Sequence, residues 1–313
     1  MFNNKKLLEK IDKIIEKEGI PKYIKKFKPS NKLRNEIINY PHKNSKFCSL
    51  LDKYVNNYHS HSGITCDFLI KESNKTEFKI PNYLPKKIKD TFFIARPEPE
   101  FQYDKKTKIG KIIFYKFFNT FQKNTIDQDI IKHIKLIKEF LNKYTFNGLI
   151  LDLRFHQGGS IHPTFIGFQS ILENIPLYIY TKYEKHKKDD LYISIPDKSF
   201  TSMKDLRYSF IPLTTTKLNV DYPIAIIVGK YTYSSGELIA CAFSGKDNVK
   251  IFGERTGGGL SSNESIQLTK DIEFRFTSEL VRLTNGKLQE YLEPDVKTNK
   301  PITDAKKWIL GFK

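Results

Sequence analysis

The sequence is poor in the residues that mark a disulfide framework or a metal site. Its 313 residues include three cysteines, Cys48, Cys66 and Cys241. Their odd number and wide spacing predict neither a set of disulfides nor a cysteine-ligated metal. Cys241 falls on the apolar face of a predicted helix, where we expect it to pack in the core.

Long hydrophobic runs are also missing. No stretch approaches the roughly 20 apolar residues that a membrane-spanning helix needs. The first 19 residues carry charges every few positions and so lack the apolar centre of a signal peptide. The sequence therefore predicts a soluble, cytoplasmic protein that makes no membrane contact.

Acidic residues are few relative to basic ones. The chain has 35 Asp and Glu against 53 Lys and Arg, which gives a formal net charge of +18. The lysines are scattered along the whole length, without a basic stripe that alternates with aromatics and without a helix-turn-helix or zinc-finger pattern. We therefore expect a solvated, lysine-rich surface and no nucleic-acid partner.

What the chain does contain is apolar periodicity, with 39% hydrophobic residues, enough for a large core. Helical spacing of apolar residues predicts helices in residues 7–18 and 47–58. Strand and helix patterns alternate from residue 109 to 253, which favours a parallel sheet with crossover helices.

Two stretches lack this periodicity. Residues 71–108 are rich in Pro, Lys and Asn and predict a hairpin with loops, whereas the polar residues 182–215 predict an exposed, irregular insertion. The expected division is a helical domain in residues 1–63, a connection in residues 64–108 and an α/β core in residues 109–313.

One stretch, Tyr231–Gly259, carries the chemistry. The apolar run that ends at Gly229 predicts a buried strand, and apolar residues at helical spacing follow from Leu238. Ser234 then falls where a core strand leads into a helix, whose free N–H groups can hold an oxyanion. Serine is also a favoured helix cap, so a purely structural role stays open.

Three motifs occur in a fixed order. They are IGKIIFYKF at Ile109–Phe117, GLILDLRFHQGGS at Gly148–Ser160, and S-x-x-E at Ser234–Glu237, which is followed by GERTGG at Gly253–Gly258. In this order they resemble the tail-specific, or C-terminal processing, serine protease family, which includes the tricorn core protease and the interphotoreceptor retinoid-binding protein.

The resemblance implies an α/β fold with a crotonase-like (ClpP/crotonase) spiral core of ββα units beside an N-terminal helical domain. It implies a serine endopeptidase that acts on peptides or proteins and needs no cofactor; a homo-oligomer stays open. Many relatives carry a PDZ domain before the core, and residues 64–108 are too few to form one.

The resemblance also implies roles for particular residues. Ser234 would be the nucleophile, and the backbone N–H of Ser235 and the Gly158-Gly159 turn would stabilise the oxyanion. The bacterial enzymes take their base from a lysine in the block after the second strand. Here Gly259 occupies that position, so no Ser–Lys dyad is expected, and the next lysine, Lys270, follows a different turn.

In the tricorn branch the base is a histidine from the N-terminal helical region. The segment YHSHSG supplies His59 and His61, and the family pattern favours His61. An imidazole with its ordinary pKa of about 6.5 is a suitable general base at neutral pH. The alternative is that both histidines are surface residues at a helix end. With only two histidines, HxH lacks a third ligand, so no metal site is predicted.

Other residues remain candidates for supporting roles. Glu293, before Pro294-Asp295, fits the late glutamate of the tricorn branch, with Glu290 as its rival. His156 and His162 flank the glycine turn and are alternatives as base or substrate contact. An inactive relative that binds a peptide or a hydrophobic ligand in the same cleft is the competing functional hypothesis.

Overall fold

The computed structural model describes residues 3–66, 82–118, 128–172, 176–184, 187–194, 220–282 and 289–312. By density of contacts the chain forms two compact units. The first contains Met1–Lys79, Thr181–Asp190 and Ser261–Leu280, and the second contains Ile80–Tyr180, Leu191–Leu260 and Val281–Lys313. The three-part division expected from the sequence stays a prediction.

The described part of the chain contains helices and strands in alternation. The helices are α1 (Asn4–Glu18), α2 (Pro21–Ile24), α3 (Asn31–Ile38), α4 (Ser45–Asn56), α5 (Lys86–Asp90), α6 (Gln128–Lys143), α7 (His162–Gly167), α8 (Gln169–Leu172), α9 (Ser235–Phe243) and α10 (Pro301–Leu310). The strands are β1 (Gly63–Cys66), β2 (Glu100–Asp104), β3 (Ile109–Phe117), β4 (Gly148–Gly159), β5 (Pro176–Glu184), β6 (Lys187–Ser194), β7 (Ile224–Val228), β8 (Val249–Gly253), β9 (Ser261–Thr269), β10 (Ile272–Arg282) and β11 (Val296–Lys297). In this part of the chain, no helix is both long and apolar enough to cross a membrane.

The sheet of the second unit has the strand order β11-β8-β7-β4-β3-β2. All its pairings are parallel except that of β2 with β3. Alternate residues of β4 and β7 face opposite layers. Leu149 and Leu151 belong to one core cluster, and Ile150 packs in the other with Ile309 of α10. This period of two on both faces is the pattern of a buried parallel sheet, as the sequence predicted.

The first unit combines α1–α4 with strands. Helix α1 buries the stripe Leu8, Ile11 and Ile15, and its core also holds Phe274 and Phe276 of β10. Strand β10 pairs antiparallel with both β1 and β9. The helices predicted near residues 7–18 and 47–58 are confirmed as α1 and α4. The strands of this unit were not assigned to it from the sequence.

The structure corrects three local predictions. Cys48 of α4 and Cys66 of β1 form a disulfide with a Cα–Cα distance of 6.3 Å, so only Cys241 is free, and it is buried. Part of the expected irregular insertion is strand β5 followed by strand β6; residues 195–219 lie outside the described residues. Residues 71–81 of the expected hairpin and loops lie outside the described residues, and the rest of that stretch contains helix α5 and strand β2, whose antiparallel partner is the separately predicted strand β3.

Candidate active site

Ser234 stands between β7 and α9 in a backbone conformation that residues with a Cβ rarely adopt, with φ 52° and ψ −119°. The preceding residues are fastened to β4, which holds this turn in place. Thr232 donates its hydroxyl to Leu153 O at 2.9 Å, and Tyr233 N–H donates to His156 O at 3.0 Å. The turn therefore places a serine hydroxyl at the start of a helix, as the motif predicted.

Glu237 fixes Ser234 from within the helix. Its carboxylate accepts the N–H of Ser234 at 3.0 Å and those of Gly258 and Gly259 at 3.1 and 2.7 Å. The Thr256 hydroxyl donates to it as well. Glu237 is fully buried, and this burial raises its pKa to about 7, while the hydrogen bonds act in the opposite direction. One side chain thus joins the nucleophile turn to the glycine turn after β8.

The backbone N–H of Ser235 is positioned as an oxyanion donor would be. In the first turn of α9, Gly236 N–H donates to Tyr233 O and Glu237 N–H donates to Ser234 O. Within the described part of the chain, no acceptor pairs with Ser235 N–H. Such unpaired donors at a helix N-terminus favour negative charge.

Gly158 and Gly159 end β4 beside Ser234, with φ values of 102° and 113°. A Cβ on Gly158 would lie 3.0 Å from Ser234 Cβ and 3.5 Å from its Oγ. A Cβ on Gly159 would lie 2.1 Å from the carbonyl oxygen of Phe117. Both positions therefore require glycine. At Gly159 the clash is with backbone, so no side-chain movement could relieve it.

The N–H of Gly158 donates to His156 Nδ1 at 3.2 Å, which leaves Gly159 N–H as the candidate second donor. His156 is 1% exposed, and burial lowers its pKa to about 3. Through its ring and its carbonyl, His156 holds both the glycine turn and Tyr233. Its contacts are those of a structural histidine. His162, at the start of α7, has a pKa lowered by burial.

An aromatic ring occupies the space beside Gly259, the position at which the bacterial relatives have their catalytic lysine. A Cβ on Gly259 would lie 2.7–2.9 Å from Cζ, Cε2 and Cε1 of Tyr233, and one on Gly257 would lie 2.9 Å from Cδ2 of the same ring. The Tyr233 ring therefore lies flat against the glycine turn. A lysine at position 259 has no room unless this ring moves.

His61 belongs to the first unit, where β9 holds it. Ser261 Oγ lies 2.6 Å from His61 Nδ1, and Asn263 Nδ2 donates to His61 O at 2.9 Å. Burial, with smaller contributions from His59 and Arg275, lowers the pKa of His61 to about 3. The imidazole is thus neutral and oriented, but its pKa lies well below the value assumed from the sequence.

His59 has a different environment from His61. It is 7% exposed and packs on the Tyr23 ring at 4.5 Å, and its Nδ1 accepts the His61 N–H at 3.1 Å. The reading of both histidines as surface residues is therefore wrong.

The two predicted glutamates have identified contacts of their own. Glu293 is exposed and pairs with Lys297 at 3.1 Å, and Glu290 accepts Leu260 N–H through its backbone carbonyl. The supporting role of Glu293 stays a prediction. The residue beside the His61 ring is Ser261, which sequence reasoning missed because nothing in SSNES distinguishes one serine from another. No cluster of potential metal ligands occurs among the described residues.

The three motifs and the fold are shared with one protein family. Residues 108–298, more than half of the chain, match Peptidase family S41, and the chain belongs to that family. The resemblance to the tail-specific proteases and the α/β crotonase-like core are thereby confirmed.

Three comparisons illustrate the relationship. The nisin-resistance protein of Lactococcus lactis subsp. lactis is 29% identical over 185 residues, which are 58% of this chain and 56% of that protein. The chain thus spans a little over half the length of this curated relative. A lipoprotein from Streptococcus agalactiae has a TM-score of 0.70 at 21% identity, over 99% of this chain and 97% of that one. The photosystem II D1 C-terminal processing protease has a TM-score of 0.52 at 12% identity, over 96% and 94%. Both structures bear on the fold alone.

Proposed function

We propose that the protein is a serine endopeptidase in which Ser234 is the nucleophile and His61 is the general base. The observation that carries the proposal is the Ser234 turn. A strained serine at a helix N-terminus lies beside a glycine that approaches its hydroxyl, with the Ser235 N–H unpaired among the described residues. Backbone strain of about 1–3 kcal/mol persists where the surroundings impose it, which is common at active sites.

In this mechanism Ser234 Oγ attacks the substrate carbonyl carbon and its proton passes to His61. The Ser235 N–H and the Gly158-Gly159 turn stabilise the oxyanion. The C–N bond then breaks, and His61 gives its proton to the leaving amine. Water attacks the resulting ester, with His61 as base, and the C–O bond to Ser234 breaks as the hydroxyl regains its proton. In this proposal Glu293 supports His61 as the base.

The name of the Lactococcus relative supports a peptide as substrate, and nisin is the first peptide to test. A second function, peptide binding without cleavage, is favoured by one observation: the Tyr233 ring occupies the place of the family's lysine. Whether His61 can act as a general base decides between peptide cleavage and peptide binding alone.

Labelling by a fluorophosphonate probe tests the proposal. We expect labelling of the wild type and none of Ser234→Ala, whereas Ser235→Ala keeps it, because Ser235 contributes only its backbone. Labelling lost in Ser235→Ala but kept in Ser234→Ala would overturn the assignment. Intact nisin and intact unrelated peptides after incubation with a correctly folded wild type would favour the binding protein.

A further inference from the structure

A pocket of about 660 Å³ opens in the second unit beside the Ser234 turn. Tyr233, which precedes Ser234, and Gln157, which precedes Gly158, both line it. The pocket is therefore lined by the residues that directly precede the nucleophile and the candidate oxyanion turn. Its size is typical of sites that bind small ligands or side chains.

Half of the ten residues that line the pocket are aromatic: Phe92, Phe93, Phe118, Tyr231 and Tyr233. Phe93 and Phe118 are 70% and 43% exposed. Large aromatic side chains this exposed at one pocket are unusual for a surface without a ligand. They offer broad faces for an apolar side chain of a substrate.

Two lysines complete the pocket, and one of them is buried. Lys116 is 7% exposed, its Nζ donates to Phe92 O, and it lies 5.3 and 5.5 Å from the ring centroids of Phe92 and Phe118. Lys230 Nζ lies 5.1 Å from the Tyr231 ring. Neither lysine has a carboxylate within ion-pair distance in the described ranges, and no acidic residue lines the pocket.

A buried ammonium group without a counter-ion is costly, and an anionic ligand group removes that cost. Carboxylates are the ordinary anions of peptides, and charge-assisted hydrogen bonds from lysine are among the stronger ones. The wall and the two lysines together complement a carboxylate next to an aromatic or large aliphatic side chain.

We propose that this pocket is a substrate subsite for an aromatic or large aliphatic residue adjacent to a carboxylate. The inference rests on the proposed function, because it assigns the pocket to the peptide that Ser234 would cleave. The carboxylate comes either from an Asp or Glu side chain or from the C-terminus of the peptide.

Binding to Ser234→Ala tests the subsite without requiring cleavage. Three fluorescently labelled octapeptides serve as probes. One has Phe-Glu at its centre and an amidated C-terminus, one has Phe-Gln and an amide, and one ends in Phe-Gln with a free carboxylate. We expect the first or the third to bind at least about tenfold more tightly than the second, and the tighter one identifies the source of the carboxylate. Equal binding of all three would overturn the proposal.

Variants then test the pocket itself. Lys116→Met removes the charge while keeping most of the packing, and we expect it to erase the preference for the carboxylate. Lys230→Met is the second variant if the first fails to fold. Lys250→Met is the matched control, because Lys250 Nζ lies over the Trp308 ring at 5.5 Å but does not line the pocket.

The outcomes distinguish the subsite proposal from the proposed endopeptidase activity. Selective binding by a wild type that cleaves no peptide would leave the subsite standing and reject the endopeptidase. If the wild type cleaves peptides without preferring the carboxylate, and neither lysine variant changes its binding, the endopeptidase stands and the subsite proposal is rejected. If Phe93→Ala and Phe118→Ala instead turn a dimer into a monomer without changing peptide affinity, the aromatic surface binds a second copy and the subsite proposal is wrong.

Discussion

Ser261 Oγ lies 2.6 Å from Nδ1 of His61, a residue 200 positions earlier in the chain. A hydrogen bond to one ring nitrogen sets the tautomer and the orientation of an imidazole. Asn263, two residues after Ser261 on β9, donates to the backbone carbonyl of His61. In the first unit, β9 therefore holds His61 by both its ring and its main chain.

Ser261→Ala is expected to lower kcat by about tenfold to a hundredfold, the effect of losing one orienting hydrogen bond. KM should change little, because Ser261 does not contact substrate in this proposal. Ser261→Thr keeps a hydroxyl and should restore much of the loss. Steady-state kinetics on a cleaved peptide measures this, with Ser262→Ala as the control. Full kcat in Ser261→Ala would show that His61 needs no such partner or is not the base.

The pH dependence of activity should differ from that of an ordinary histidine. A general base works above its pKa, and the His61 pKa is lowered to about 3. We therefore expect the ionisation of His61 to leave kcat/KM unchanged from pH 5 to 8 and to lower it only below that range. An ordinary histidine would instead place this limb near pH 6–7. A limb at pH 6–7 that persists in Glu237→Gln, which removes the site's other group with a pKa of about 7, would contradict the lowered pKa of His61 and indicate a more exposed imidazole.

Stability should also depend on pH through the buried histidines. Burial lowers the pKa of His133 to about 4, whereas the unfolded chain has its ordinary value of about 6.5. Between these values only the unfolded state binds the proton, so the free energy of unfolding falls as the pH falls. The loss approaches about 1.4 kcal/mol per pH unit for this histidine.

Denaturant unfolding at several pH values measures this slope. His133→Gln should reduce it by the contribution of one histidine, and His42→Gln, at an exposed position, is the matched control. Equal slopes in the wild type and His133→Gln would mean that His133 titrates normally in the folded protein.

The local part of the site could be predicted from the sequence, and the long-range part could not. S-x-x-E after an apolar run identifies Ser234 and the residue that caps its helix, because both lie within one turn. The contact of His61 with Ser261 depends on how β9 returns to the helical region, and no local pattern records it. Tyr233 gave no signal either, since only the structure shows its ring over Gly259.

The disulfide is a second feature that could not be predicted from the sequence. Three cysteines leave one unpaired, and the spacing of Cys48 and Cys66 matches no recurring pattern, yet α4 and β1 bring them together. Disulfides persist mainly in oxidising compartments. The cytoplasmic location therefore stays a prediction, and the Cys48–Cys66 bond is a reason to test it.

The two glycines of β4 should respond differently to substitution. Gly159→Ala places a Cβ 2.1 Å from Phe117 O, so the backbone must move, and we expect a large loss of stability. Gly158→Ala meets the side chain of Ser234 at 3.0 Å, so the nucleophile must shift, and the change should mainly disturb catalysis, by a factor on the order of 10². Its positive φ adds about 1–2 kcal/mol of destabilisation.

Thermal unfolding and kcat/KM measured on the same samples separate these effects. Gly229→Ala is the control, because its Cβ would meet its nearest atoms, all in side chains, at 3.6 Å or more. A stable, active Gly159→Ala would show that β3 and β4 are not as closely apposed as described. A fully active Gly158→Ala would show that Ser234 keeps its position despite a side chain at residue 158.

Gly259→Lys tests whether this chain can use the base of its bacterial relatives. In a His61→Ala background, a lysine at this position restores cleavage only if its ammonium group can reach Ser234. The Tyr233 ring stands 2.7 Å from where the new Cβ would be, so the side chain must displace the ring or point elsewhere. We expect no recovery of kcat/KM and a lower melting temperature. Gly259→Ala in the same background controls for the Cβ alone and should show the same thermal loss. Recovery of activity with a limb of the pH profile at alkaline pH would show that the Tyr233 ring moves aside and that a Ser–Lys dyad forms. The position of this ring would then not explain the absence of the lysine.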